Sequence, residues 1–110
     1  MGQSAALMNT TGYANLAIGN EALRQNNSGN LNVAIGNEAL AANTASSNTA
    51  LGERAMRSNT SGSLNVGIGN LALASNTTSN ANVSIGYRSL DSINSAMGGN
   101  TAIGYQSGII

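Results

Sequence analysis

Six glycines, Gly19, Gly36, Gly52, Gly69, Gly86 and Gly104, recur at spacings of 17, 16, 17, 17 and 18 residues, each with the same neighbours. Four positions before each stands an asparagine: Asn15, Asn32, Asn48, Asn65, Asn82 and Asn100. Directly before each stands a branched aliphatic: Ile18, Ile35, Leu51, Ile68, Ile85 and Ile103. Two before and three after, the residue is tiny, as in Ala34 and Ala39, with Gly67, Ser84, Ser89 and Ser107 the exceptions to alanine. Four after come Leu23, Leu40, Met56, Leu73 and Leu90, a column broken at Gly108. Seven after come Asn26, Asn43, Asn59 and Asn76, broken at Ile93. Agreement at a short fixed period restricts the chain to a solenoid, in which a repeat buries its apolar side only against like neighbours.

The kind of solenoid follows from local chemistry. Segments such as "NVAIG" alternate apolar with small or polar residues and carry Val, Ile or Thr, which is strand patterning. Glycine then turns a corner where a Cβ is costly. The next stretch, "NEALAAN" or "ERAMRSN", has helix-favouring residues but spans under two turns, too short to be stable alone. Asn, Thr, Ser and Gly close the coil, as in "NNSGN". The expected fold is all-β: a parallel β-solenoid, or β-roll, of about six coils of 16–18 residues. Two short strands per coil, stacked at about 4.8 Å, give a rod about 30 Å long. A coil of one strand and one helix, like a leucine-rich repeat, is the rival, although such repeats run to about 20–29 residues. Residues 1–110 read as one repeat domain with partial coils at both ends.

Stacking gives each column an expected role. The aliphatic before Gly and the Leu or Met four after it form ladders inside the coil. The small columns let sheets or chains approach closely. The Asn column four before Gly stacks its amides, each donating to the next, or else serves only a tight turn.

Composition removes other functions. The aromatics are Tyr13, Tyr87 and Tyr105 alone, so the core must be aliphatic. Arg24, Arg54, Arg57 and Arg88 balance Glu21, Glu38, Glu53 and Asp91, leaving no basic patch for nucleic acid. Without His, Cys or Lys the chain lacks the usual metal ligands, the imidazole base and the thiol nucleophile. No catalytic, cofactor or metal site is expected. The first ten residues lack a secretory pattern, Ala6 breaks the myristoylation motif, and no apolar run suits membrane insertion. The "GIGNLA" at Gly67–Ala72 fits a dinucleotide motif but sits inside the repeat, without a long helix. The N-x-[ST] patterns at Asn9, Asn26, Asn59, Asn76 and Asn82 follow from turn chemistry, although sugar attachment is a possible reading. Glu21, Glu38, Arg54 and Arg88 share the column two after Gly, where Glu38 and Arg54 become axial neighbours on a solvated face.

The motifs "NVAIG", "NTALG" and "NTAIGYQSG" resemble the head repeats of trimeric autotransporter adhesins. The longer form, with "EAL", "NT" and "SG" following, is similar to repeats of phage tail fibres. The resemblance spans roughly Asn9 to Ser107. It implies a left-handed β-roll in an intertwined or side-by-side homotrimer, with inner strands meeting at the axis. It also implies an extracellular place, on a cell surface or virion. Two departures stand out: the adhesin repeat is shorter, and no coiled-coil stalk, membrane anchor or cleaved chaperone domain is recognisable. The expected function is a non-catalytic structural or adhesive fibre segment that meets a host surface or glycan through Asn, Ser and Thr turns. The alternatives are a filament subunit stacking end to end, with Ile109 and Ile110 at the contact, and an ice-binding solenoid.

Overall fold

The computed structural model describes residues 1–93 and 98–108; the stacking role expected of Ile109 and Ile110 lies outside them. Among the described residues there is no helix. Six three-residue strands, β1 (Leu16–Ile18), β2 (Val33–Ile35), β3 (Thr49–Leu51), β4 (Val66–Ile68), β5 (Val83–Ile85) and β6 (Thr101–Ile103), form one sheet in chain order. Neighbouring strands pair in parallel, Leu16 beside Val33, Ala17 beside Ala34 and Ile18 beside Ile35. Columns in the sequence are therefore columns in space. The remainder of each coil supplies the crossover that parallel strands require. The result is an all-β parallel solenoid measuring 37 × 23 × 16 Å.

Each coil has one strand, where two were expected. The second side is a run of tight turns, in which the N–H groups of Ala22, Arg24 and Asn26 donate to the carbonyls of Gly19, Glu21 and Leu23. Glu21 and Leu23 take φ values of 62° and 51°, and the pattern returns at Glu38/Leu40, Arg54/Met56, Leu71/Leu73 and Arg88/Leu90. Each such residue costs about 1–2 kcal/mol in the left-handed region. Hydrogen bonds between coils hold the conformation against that cost. Leu40 N–H donates to Ala55 O at 3.0 Å and Met56 N–H to Ala72 O at 2.8 Å, while Glu38 N–H reaches back to Asn20 O at 2.8 Å. Both sides of the coil thus hydrogen-bond along the axis.

The corner glycines from Gly19 to Gly86 are required twice over. Gly52 has φ 129°, and a Cβ there would lie 2.7 Å from the carbonyl carbon of Gly69. The other five corners repeat this φ, between 127° and 137°.

The core is a thin layer. Leu23, Leu40, Met56 and Leu73 are wholly buried and Leu90 nearly so, packed with Ala22, Ala34, Ala39, Ala50 and Ala55. Both tiny columns point inward, to face this ladder, rather than outward to admit other sheets. Gly67 is one of them: a Cβ would come within 2.7 Å of Met56 Cγ, so glycine makes room for the methionine. That explains "GIGNLA" as packing within β4.

The other expected core column is corrected. Ile18, Leu51 and Ile103 are exposed, and Ile35, Ile68 and Ile85 only half-buried. Side chains alternate along a strand. With the tiny middle residue inside, both of its neighbours must point out.

Candidate functional site

That alternation builds a surface. On the outside of the sheet stand Leu16, Val33, Thr49, Val66, Val83 and Thr101, and two residues along each strand Ile18, Ile35, Leu51, Ile68, Ile85 and Ile103. None carries a charge, and all but the two threonines are aliphatic. Register pairing aligns them as two ladders running the length of the sheet. A parallel sheet is ordinarily covered on both faces. Here the inner face has its Leu and Ala core, and the outer face is open to solvent. The double ladder is the largest uncharged array of the sheet that is left uncovered by the chain's own residues.

Beside the ladders, the position five before each corner Gly also leaves the Ramachandran mainstream. Ala14, Leu31, Ser47, Leu64 and Ala81 have φ between 56° and 63°, and Gly99, in the sixth coil, has φ 77°. Leu31 is 56% and Leu64 64% exposed.

Asparagine organises the opposite end of each coil. In the column four before Gly, the Oδ1 of Asn15, Asn32, Asn48, Asn65 and Asn82 accepts the backbone N–H of the next asparagine, Asn32 through Asn100, at 2.9–3.0 Å. The Nδ2 groups of Asn15, Asn32, Asn48 and Asn65 donate to turn carbonyls one coil on, at Gly29, Ala45, Gly62 and Ser79. The expected amide-to-amide donation is found in this column only at Asn82 and Asn100. The continuous amide ladder is the other column: Asn26 donates to Asn9, Asn43 to Asn26, Asn59 to Asn43 and Asn76 to Asn59. Those amides also donate to Gly29, Ala45, Gly62 and Ser79, so each turn carbonyl is gripped from both columns. Asn26, Asn43, Asn59, Asn76 and Asn82 are buried and hydrogen-bonded, which closes four of the five N-x-[ST] positions to sugar attachment.

The turns leave Asn27, Ser28, Thr44, Thr60, Ser61 and Thr78 exposed. The hydroxyls of Thr10, Thr44 and Thr60 donate to the carbonyls of Asn27, Thr60 and Thr77. Length variation is confined here: the short coil loses its residue between Asn43 and Asn48, and the long one gains its own between Ile93 and Asn100.

Glu38 and Arg54 pair across coils at 2.7 Å as anticipated. The hydrogen bond and charge of Glu38 raise the Arg54 guanidinium above its ordinary value, and Asp91 does the same for Arg88. A raised arginine loses its contribution only in strong alkali, so these pairs give no pH dependence near neutrality. Tyr87 and Tyr105 stack with centroids 5.4 Å apart. Among the described residues no cluster of acidic side chains could hold a metal, and no helix is long and apolar enough to cross a membrane. Comparison with protein-family models, curated proteins and solved structures finds no match.

Proposed function

We propose that this chain is a non-catalytic structural and adhesive segment of a trimeric extracellular fibre, on a cell surface or a virion. The observation that carries the reading is the uncharged double ladder on the open face of the sheet. A surface that repeats every coil is matched by another of the same pitch, and a second copy of this chain supplies one. The resemblance to adhesin-head and tail-fibre repeats favours three copies about one axis, with this face inward. The Asn, Ser and Thr turns then lie at the periphery, where a host surface or glycan is met. The sheet face does not offer the flat threonine array of the ice-binding alternative, since threonine occupies it only at Thr49 and Thr101.

Native mass spectrometry of the purified chain tests the reading. Three copies are expected. A chain that stays monomeric at high concentration contradicts it.

A further inference from the structure

Tyrosine stands in three places, and in none of them does it serve the core. Tyr13, Tyr87 and Tyr105 are all exposed, and the chain has no Phe or Trp. Two of the three are neighbours in space. The column one after each corner Gly runs Asn20, Asn37, Glu53 and Asn70, then Tyr87 and Tyr105, so the first four coils close this corner without a ring. Parallel register sets Tyr105 beside Tyr87, one coil on. Their rings stack at 5.4 Å between centroids and 17° between planes, within the usual range of aromatic pairs. Both remain open to solvent, Tyr87 at 42% and Tyr105 at 73% exposure. Tyr13 sits in another column, beside Asn30.

The pair spans the joint between the fifth and sixth coils, and two of the side-chain ladders have ended by then. The buried amide ladder runs from Asn9 to Asn76, and its column is broken at Ile93. The Leu and Met column stops at Leu90, with Gly108 next. The tiny inward residues also turn to serine. Ser84 Oγ donates to Ser89 O at 2.6 Å, and Ser89 Oγ donates to Ala102 O at 3.0 Å and lies 3.0 Å from Ser107 Oγ. Serine and glycine bury less apolar surface here than alanine and leucine do in the earlier coils.

We infer that Tyr87 and Tyr105 form an oxidative cross-linking site, at which a haem peroxidase with hydrogen peroxide couples the two phenols into a covalent staple between the fifth and sixth coils. Cysteine and lysine are absent, so disulfides and lysine-derived links are closed to this chain. Each phenol gives one hydrogen atom to the oxidant, and one peroxide is reduced to two waters. The two phenoxyl radicals then form a carbon–carbon bond between Cε atoms, next to the hydroxyl-bearing carbons. Each coupled carbon loses its proton and each phenol oxygen regains one, which restores both rings. The product lacks two hydrogens and no other atom. Stacking favours coupling within the chain, because the second radical forms beside the first and is not reached by diffusion. The site needs one chain only, so it holds whatever the number of copies in the assembly.

The test is oxidation of the purified chain by a haem peroxidase with limiting hydrogen peroxide. The product should run as a single chain on a denaturing gel, lose the mass of two hydrogen atoms and show the blue fluorescence of a biphenol. Trypsin cuts after Arg88, between the two tyrosines, so an 87–105 link joins peptides that otherwise separate. Tyr87→Phe and Tyr105→Phe each keep a ring in the stack but remove a phenol, and each should lower the in-chain link at least about tenfold. Tyr13→Phe should leave it unchanged. The oxidised chain should also melt at a higher temperature, since the staple restricts its unfolded state. Coupling only between chains, or an in-chain link that survives the change at 87 or 105, overturns the assignment. So does a failure to couple under conditions that couple free tyrosine in a parallel reaction.

Discussion

At Gly52 a single hydrogen in place of a side chain decides whether two coils can close on each other. Its φ of 129° and the 2.7 Å approach to Gly69 act together. Gly52→Val should therefore destabilise the fold by at least about 2 kcal/mol, seen as a lowered melting temperature. An unchanged transition would mean that the corner can relax. The buried amide ladder makes a sharper case. Asn59 donates to Asn43 Oδ1 at 2.8 Å and Gly62 O at 2.9 Å, and accepts from Asn76 Nδ2 at 2.7 Å. Asn59→Asp removes both donors and turns a carboxylate toward two oxygens, a loss of about 2–5 kcal/mol. Burial raises the pKa of that new carboxyl, so its penalty applies above the raised value and is relieved as pH falls through it. The variant should melt higher at about pH 4 than at about pH 7, whereas Asn59→Ala should be nearly insensitive. Equal pH responses would show that the ladder tolerates charge. Leu40→Asp buries a carboxylate in the core and should prevent folding and assembly, while Glu38→Gln, two residues away on the surface, should change stability by under about 0.5 kcal/mol.

At the scale of the element, the sheet is one strand per coil with an inside made of alanine. Ile35→Lys with Ile68→Lys places two ammonium groups on the open face without touching the core. Circular dichroism should stay native while sedimentation reports monomers; retained trimers would place the interface elsewhere. Much of this element was legible. The corner glycines, the Leu and Met ladder, the six parallel strands and the Glu38–Arg54 pairing all followed from the period, although the strands make about five turns rather than six full coils. The side of the strand did not, because large aliphatics were assigned to the interior by hydrophobicity alone. The 16 Å depth of the molecule admits one leucine layer against tiny residues. The signal was present: the invariably tiny residue two before Gly, at Ala17, Ala34, Ala50, Gly67, Ser84 and Ala102, marks the inward position, and alternation then sends Ile18 or Ile35 outward. The left-handed residues were not legible at all. Nothing in Glu21, Leu23 or Arg54 prefers φ > 0, and only hydrogen bonds to neighbouring coils impose it. Both asparagine columns were recognised, but the amide ladder was expected four before Gly and runs instead through Asn26, Asn43, Asn59 and Asn76, since spacing does not say whether an amide faces its like or a carbonyl.

For the whole molecule, every ladder described above, backbone and amide alike, bonds one coil to the next. Pulled from its two ends, such a rod is loaded in series, and the outermost coil carries the whole tension with no other coil sharing it. It should fail by peeling, one winding at a time, rather than by rupture across its width. Each winding released is about 17 residues of thread, extending the tether by roughly 50–55 Å after subtracting its place in the stack. A single-molecule stretching trace should show low, evenly spaced force peaks with that increment. One tall peak would mean that the coils yield together. A fibre made this way lengthens under tension by paying out thread from its ends, dissipating the pull in small instalments while the inner windings keep their shape.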